Sequence, residues 1–273
     1  MEIKLNAYAK LNPLFALRGK RDDGYHLVDG LCLATELSDV LTVRVREDDR
    51  LVVTTDVGEI VGNTAEKIAS ALRSLYALPG LDIDIEKRIP FSLGVGGSSA
   101  DSAGVYIALK KLFPEIDLSD EELARFGADV PVMVRGGGRV RGIGEIIEDA
   151  GEFPRYDVAI LYGEETLSTR DVYIESDKYS YPERDIDERI ERFRRGEESD
   201  YLFNDMERGA SALNPDHAKS ILRDAGFSLV AMTGSGRGVA GYTLEDFENK
   251  INILQEKRGA YSLLTTRLRG KND

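Results

Sequence analysis

The stretch that most constrains the fold is IPFSLGVGGSSADSAG, residues 89–104, which holds four glycines and four serines. Apolar and polar residues alternate over positions 81–85, and this pattern predicts a strand just before the stretch. Apolar residues at positions 105, 108, 109 and 112 have helical spacing, so we expect a helix that begins between residues 99 and 103. It should end before Pro114. A chain that passes from a strand through glycines into a helix leaves backbone N–H groups unpaired, and such a terminus favours an anion.

Other glycine-rich phosphate binders require residues that this stretch lacks. A P-loop has a lysine after its last glycine, whereas Ser98 and Ser99 follow here. A dinucleotide-binding fingerprint has glycine at its sixth position, which is Ser99 here, and an acidic residue that closes the next strand, whereas Asp117 precedes a predicted helix cap. The catalytic loop of the protein kinases is absent. The residues alone leave two interpretations, an anion-binding loop or a glycine turn needed only for tight packing.

Before this stretch, the sequence predicts mainly strands. Alternation from Ile3 onward predicts a strand in which Lys10 and Asn12 share a face, and Pro13 is expected to perturb or end its pairing. The Asp-Gly pair within residues 18–26 predicts a tight turn, and strands are expected again at 41–45 and 81–85. Between them Asn63, with Glu66 three residues on, predicts the start of a helix.

After the stretch, Ser119 and Glu122 form the pattern of a capping box, and Gly127 is expected to end that helix. Asp129 should then lie in a short loop closed by Pro131. The polar tract 181–201 is either a linker or a surface helix, and its apolar residues at 186, 190 and 193 favour the helix. Residues 229–243 are typical of a strand, a glycine turn and a second strand.

Composition excludes some classes of partner. The 273-residue chain carries 49 acidic and 36 basic side chains, a formal net charge of −13, so a nucleic-acid partner is not expected. Cys32 lies in an apolar run and is expected to be a core thiol in a reducing compartment. The first residues alternate polar and apolar, so a signal peptide is not expected, and no apolar run is long enough to span a membrane. We therefore expect a cytoplasmic protein. A monomer or a weak homodimer is also expected.

Several stretches together resemble the GHMP small-molecule kinases. In the glycine stretch Gly94, Gly96, Gly97, Ser99 and Asp101 match the phosphate loop of that superfamily. The chain departs from the usual loop at Ser92, Leu93, Ser98 and Ala100, and from other family segments at 32–34 and 132–134. Further similar stretches follow in the family's order: AYAKLNPLFALRGKRDDGYHLVDGL (7–31), GNTAEKIASAL (62–72), GADVPVMVRGGGRVRGIGE (127–145), LSTRDVY (167–173), NDME (204–207) and TGSG (233–236).

The resemblance implies an α+β fold in two domains. Residues 1–152 would form an ATP-binding domain like the second domain of ribosomal protein S5, and residues 153–273 a ferredoxin-like domain. The implied reaction transfers the γ-phosphate of ATP, with Mg²⁺, to a hydroxyl of a cytidine diphosphate-linked polyol in the non-mevalonate isoprenoid route. Two alternatives remain: a GHMP kinase for another small alcohol or phosphate acceptor, and a catalytically silent nucleotide-binding module.

The resemblance also assigns roles to residues. It makes Asp129 the catalytic base and Lys10 its partner, although a structural ion pair or two unrelated surface charges would give the same residues. Asn63 is equally explained as a helix cap, Tyr25 as a packed turn residue, and residues 233–236 as a hairpin turn. No cluster of carboxylates identifies a metal ligand. The implied ATP-binding residues are Gly94, Val95, Gly96, Gly97, Ser98, Ser99 and Asn63. The implied substrate-binding residues are Asn12, Tyr25, His26, Gly234 and Ser235.

Overall fold

The computed structural model describes residues 1–270 as a mixture of strands and helices. The strands are β1 (Glu2–Lys20), β2 (His26–Val45), β3 (Leu51–Thr55), β4 (Leu81–Glu86), β5 (Gly137–Gly142), β6 (Ile146–Glu148), β7 (Asp157–Tyr162), β8 (Phe203–Asn204), β9 (Leu229–Met232), β10 (Gly238–Thr243) and β11 (Ser262–Arg267). The helices are α1 (Thr64–Tyr76), α2 (Gly97–Leu112), α3 (Asp120–Ala124), α4 (Val130–Val134), α5 (Thr169–Ser176), α6 (Ile186–Arg194), α7 (Met206–Gly209), α8 (Pro215–Asp224) and α9 (Phe247–Lys257), with a 3-10 turn at Ser211–Leu213. Over residues 1–270, none of the helices combines the length and apolar character needed to cross a bilayer.

The chain forms two compact units, each built from several segments. Unit 1 comprises Met1–Ala9, Leu37–Phe91 and Gly96–Gly136. Unit 2 comprises Lys10–Glu36, Ser92–Val95 and the chain from Gly137 onward. The glycine stretch is therefore divided between them, with its first part in unit 2 and the start of α2 in unit 1. The boundary expected between residues 152 and 153 stays a prediction.

Unit 1 is a sheet with helices packed on it. Strand β3 pairs in parallel with β4, and β4 pairs in antiparallel with residues 40–45 of β2. Helix α2 comes close to this sheet at Gly104, where an added Cβ would lie 3.0 Å from Ala7 Cβ and from Leu41 Cδ2. A larger residue at position 104 would therefore push the helix away from the sheet.

Unit 2 contains a four-stranded antiparallel sheet in the order β11-β7-β10-β9. With helices between its first and second strands and between its third and fourth, this is the β-α-β-β-α-β arrangement of ferredoxin-like domains. One hydrophobic cluster joins helices α8 and α9 to the sheet. Its fully buried members include Leu222, Phe227, Val230 and Leu254. The ferredoxin-like part of the expected fold is thus confirmed.

Most of the predicted elements are present. Asn63 caps α1 by accepting the Ala65 N–H at 3.0 Å, and Ser119 and Glu122 form a complete capping box on α3. The polar tract contains α6, whose three apolar side chains at 186, 190 and 193 are buried. The 229–243 hairpin is confirmed as β9 and β10, and Cys32 is buried as a core thiol is expected to be.

Two local predictions were wrong. Strand β1 continues through Pro13 to Lys20, because its pairing with β8 begins only at Leu14, one residue past the missing N–H. Helix α2 begins at Gly97, two residues earlier than expected, because Gly96 turns the chain in the left-handed conformation. The prediction that Asp129 lies in a short loop after a helix is confirmed: it lies in the turn between α3 and α4, as the N-cap residue of α4, and Pro131 lies in the first turn of α4, where its missing N–H costs nothing.

Candidate functional site

The N-terminus of α2 in unit 1 presents unpaired backbone donors. Gly96 is the N-cap residue with φ of 74°, and the first helical bond runs from the Ala100 N–H to the Gly96 carbonyl at 2.8 Å. Within residues 1–270, the N–H groups of the three residues between them, 97–99, have no hydrogen-bond acceptor. Those donors and the helix dipole together favour a bound anion, and the effect is largest for a polyanion such as a triphosphate.

Other predicted residues of unit 1 surround this terminus. The Thr64 hydroxyl donates to the Ser98 carbonyl at 2.8 Å, which places the start of α1, with its cap Asn63, beside the loop. Gly127 lies against Ser99, since an added Cβ would stand 2.9 Å from the Ser99 hydroxyl oxygen. Asp129 follows two residues after Gly127, so the turn that carries it is in contact with the loop through Gly127. The structure therefore brings these predicted unit 1 residues together.

A buried charged cluster supports the same loop at its base. The Lys87 ammonium forms ion pairs with Asp39 and with Asp101, the latter at 2.7 Å, and all three side chains are at most 5% exposed. Asp39 also accepts the backbone N–H groups of Arg88 at 2.6 Å and Ile89 at 2.8 Å. The cluster therefore joins strand β2, the chain entering the glycine stretch and the second turn of α2.

The charge of this cluster is unbalanced, because two carboxylates share one ammonium. Burial raises the pKa of Asp101 to about 7, and the attraction of Lys87 only partly opposes it. Burial works against the Lys87 ammonium too, but Asp101 and Asp39 outweigh it and raise its pKa. No periodic pattern marks Asp39 or Lys87 in the sequence, and reasoning from motifs missed both.

In unit 2, Lys10 and Asn12 meet the other part of the glycine stretch. The Lys10 ammonium donates to the Asn12 side-chain oxygen, and the Lys10 N–H donates to the Val95 carbonyl at 3.0 Å. Lys10 is 6% exposed and Asn12 4%, so both are held within the protein. An ammonium held in this way can form charge-assisted hydrogen bonds with an anionic group.

The turn at residues 233–236 packs directly on Gly94. An added Cβ at Gly236 would lie 2.3 Å from the Gly94 nitrogen, and one at Gly234 would lie 2.6 Å from the Gly94 oxygen and 3.2 Å from the Lys10 ammonium. The Thr233 hydroxyl donates to the Leu93 carbonyl at 2.8 Å. Unit 2 therefore brings five of the predicted site residues close together: Lys10, Asn12, Gly94, Val95 and Gly234.

Tyr25 and His26 have other neighbours. His26 Nε2 and Asp177 Oδ1 are 2.5 Å apart, and the His26 ring stacks on Tyr173 with centroids 4.7 Å apart. Lys20 also pairs with Asp177 at 2.5 Å, and Lys20 first, then His26, hold the pKa of Asp177 below its usual range. Tyr25 is 60% exposed.

Helix α5 connects these two groups of predicted substrate residues. The Thr169 hydroxyl at its start lies 2.8 Å from the Ser235 hydroxyl, while Tyr173, one turn later, stacks on His26. The stretch LSTRDVY drew attention in the sequence, but no residue of it was assigned a role. Its helical spacing, which puts 169 and 173 on one face, was the signal that could have found them.

Known proteins resemble this chain over nearly its whole length. A 4-diphosphocytidyl-2-C-methyl-D-erythritol kinase of Caldicellulosiruptor bescii is 33% identical over 268 residues, which cover 93% of this chain and 92% of that kinase. The chain belongs to this kinase family. A second 4-diphosphocytidyl-2-C-methyl-D-erythritol kinase, from Desulfitobacterium hafniense, is 30% identical and covers 97% of this chain.

Structures and sequence profiles agree with the family. A crystal structure of 4-(cytidine 5'-diphospho)-2C-methyl-D-erythritol kinase matches 98% of this chain with a TM-score of 0.84 and 29% identity. The mevalonate kinase of Methanococcus jannaschii, 17% identical with a TM-score of 0.66, shares the fold. The GHMP kinases N terminal domain matches residues 61–139, which include the glycine stretch. The expected α+β GHMP kinase fold is confirmed.

Hydroxyl side chains lie at the start of α2. Ser98 and Ser99 belong to its first turn, and the Ser102 hydroxyl donates to the Ser98 carbonyl at 3.1 Å. Among residues 1–270, no group of three or more His, Cys, Asp and Glu side chains is arranged to hold a metal ion.

Proposed function

We propose that this chain transfers the γ-phosphoryl group of ATP to the 2-hydroxyl of 4-diphosphocytidyl-2-C-methyl-D-erythritol. Relatives of that name match 93% and 97% of the chain, which supports the reaction and the substrate class. The observation that carries the mechanism is the row of unpaired N–H groups at the start of α2. Neutral amides aimed at one point hold a triphosphate without requiring the lysine that the loop lacks.

The glycine stretch would bind the triphosphate. Residues 97–99 donate their backbone N–H groups to phosphate oxygens, and Mg²⁺ bound to the nucleotide supplies charge neutralisation during transfer. Ser98 and Ser99 would complete its oxygen shell, and Asn63 lies beside the same loop through Thr64. The departures from the usual loop remove no backbone donor, because Ser98 retains the N–H that glycine would provide there.

Asp129 and Lys10 would carry the chemistry. Asp129 accepts the proton of the attacking hydroxyl, and Lys10 stabilises the alkoxide that develops. The hydrogen bond from Lys10 to Asn12 holds the ammonium in one orientation, so little reorganisation is needed when charge develops. Asp129 is the N-cap residue of α4, in the turn that follows Gly127.

Tyr25 and His26 would recognise the cytosine base. If His26 Nε2 carries the proton that it shares with Asp177, its Nδ1 is a hydrogen-bond acceptor. Cytosine presents an exocyclic amino group, which is a donor, so the two match. The exposed Tyr25 ring is available to stack on the base.

The test is turnover of ATP across a panel of acceptors with the full chain. Phosphorylation of 4-diphosphocytidyl-2-C-methyl-D-erythritol alone is the expected result. Turnover with a different alcohol would show a GHMP kinase of other specificity, as the altered residues at 92, 93, 98 and 100 would then explain. ATP binding without turnover of any acceptor would show a catalytically silent module and would refute the proposal.

A further inference from the structure

A buried asparagine forms hydrogen bonds to the turn at residues 233–236. The Asn204 side chain is 3% exposed, and its amide nitrogen donates to the Met232 carbonyl at 3.1 Å and to the Gly234 carbonyl at 2.9 Å. Its side-chain oxygen accepts the Met206 N–H at 2.9 Å. Both donors and one acceptor site of the amide are therefore used. A side chain held by three hydrogen bonds is fixed in orientation.

Asn204 is itself held firmly by its strand. Strand β8 pairs in parallel with β1, with Asn204 opposite Phe15. The next residue, Asp205, donates its N–H to the Phe15 carbonyl at 2.9 Å and accepts the Leu17 N–H at 3.0 Å. Strand β1 also carries Lys10. The same strand therefore positions the Lys10 ammonium and supports the Asn204 amide that is hydrogen-bonded to the turn.

The hydrogen bond from Asn204 to the Gly234 carbonyl determines the orientation of the peptide group between Gly234 and Ser235. In a planar trans peptide the carbonyl and the following N–H point in opposite directions. The Gly234 carbonyl is directed at Asn204, so the Ser235 N–H is directed away from it. Within the described part of the chain, residues 1–270, this N–H has no hydrogen-bond acceptor. Asn204 orients the Thr233 N–H in the same way, through its hydrogen bond to the Met232 carbonyl. That N–H donates to the Gly238 carbonyl at 2.9 Å.

We infer, on the basis of the proposed function, that Asn204 is a positioning residue that aims the Ser235 N–H at the acceptor substrate. A Cβ added to Gly234 would lie 2.6 Å from the Gly94 oxygen and 3.2 Å from the Lys10 ammonium, so the oriented peptide begins next to the group proposed to stabilise the alkoxide. An anionic oxygen of the acceptor's diphosphate is the ligand that a lone backbone donor beside an ammonium fits. Asn204 does not touch the substrate in this assignment, and acts only through the turn.

The decisive variant is Asn204→Asp in the full chain. The carboxylate keeps the size of the side chain and the bond from Met206, but it replaces two donors with an oxygen that repels both carbonyls. We expect kcat/KM for the acceptor to fall by about 10- to 100-fold, as when a catalytic group is misplaced by about 1 Å. The KM for ATP should not change. Asn252→Asp, an exposed change of the same type in α9, is the matched control and should behave as wild type.

The outcomes separate this inference from the proposed function. A wild-type protein that does not phosphorylate the acceptor would refute the proposed function and this role with it. If the wild type is active and Asn204→Asp is equally active, the role of Asn204 alone is overturned. A rise in the KM for ATP as large as the fall in kcat/KM for the acceptor would overturn it too.

A second measurement needs no variant to fold. In wild-type protein labelled with ¹⁵N, adding the acceptor should shift the Ser235 amide proton more than that of Thr233, which already has an acceptor. An unshifted Ser235 amide would overturn the inference.

Discussion

Replacing Lys87 with methionine tests whether the buried charged cluster holds unit 1 together. The change removes the ammonium that pairs with both Asp39 and Asp101 and keeps a flexible apolar side chain of similar length. Breaking a buried ion pair by removing one partner typically costs about 3–5 kcal/mol, because the remaining charge is left unpaired. Since domains are stable by only about 5–15 kcal/mol, the loss is a large fraction of the free energy of unfolding.

The cost should depend on pH in a defined direction. Asp101 has an oxygen without a hydrogen-bond partner among residues 1–270, and its pKa in the folded protein is about 7, above its usual value in an unfolded chain. The folded state therefore binds the Asp101 proton more tightly, and the contribution of this group to stability falls as the pH rises through about 4 to 7. Without the ammonium the pKa rises further, so the window extends upward. The deficit of Lys87→Met should thus be larger at pH 8 than at pH 6.

Urea unfolding followed by circular dichroism at pH 6, 7 and 8 would measure this deficit. Lys110→Met is the matched control, since the Lys110–Asp117 pair is exposed and should contribute little to the free energy of unfolding. Lys87→Met with Asp101→Asn should recover part of the loss, because the stranded carboxylate is gone. A deficit below about 1 kcal/mol, or one that grows on acidification, would refute the reasoning.

Three further perturbations probe the site and the core. Asp129→Asn should lower kcat by about 100-fold or more while ATP binding, measured by calorimetry, is kept; near-normal turnover would remove Asp129 from the mechanism. Tyr242→Phe should leave unfolding free energy unchanged or raise it by up to about 1 kcal/mol, since the buried hydroxyl has no partner among residues 1–270, whereas Tyr156→Phe should lower it by about 1 kcal/mol by losing the bond to the Phe193 carbonyl. A destabilised Tyr242→Phe would contradict this account. Gly236→Ala should reduce turnover sharply and destabilise by about 1–3 kcal/mol, because its Cβ would lie 2.5 Å from Gly94 Cα. Gly163→Ala, which meets nothing nearer than 3.9 Å, should do neither, and equal effects of the two would sink the close-packing argument.

Local patterns predicted local structure well. The cap at Asn63, the capping box at Ser119 and the buried stripe of α6 all depend on residues within two helical turns, and all are present. The prediction for Pro13 failed because whether a strand tolerates proline depends on which partner strand begins where, and β8 is nearly 190 residues away in sequence. Helix α2 began early because Gly96, rather than a polar side chain, turns the chain into it.

Long-range polar contacts could not be predicted from the sequence. Lys87 meets Asp39 across 48 positions, and Asn204 meets Gly234 across 30. No periodicity connects such residues, since each is fixed by the strand or turn that carries it. The predicted residues that the structure brings together were found through family motifs. The residues that support them, such as Lys87 and Asn204, were not among the predicted site residues and could be identified only from the structure.

The two ends of the glycine stretch are held by different forces, and this follows from what a loop of neutral amides must do. A loop that binds a polyanion through N–H groups has to keep those groups aligned without the anion, because each ordered residue otherwise costs about 1–2 kcal/mol of backbone entropy on binding. In unit 1 the chain entering the loop and α2 are tied through Lys87, whose bonds involve charge. In unit 2 Gly94 is held by direct backbone contact with Gly236, which only residues without a side chain allow. Lys87→Met should therefore destabilise in a pH-dependent way, whereas the effect of Gly236→Ala should be independent of pH between 6 and 8.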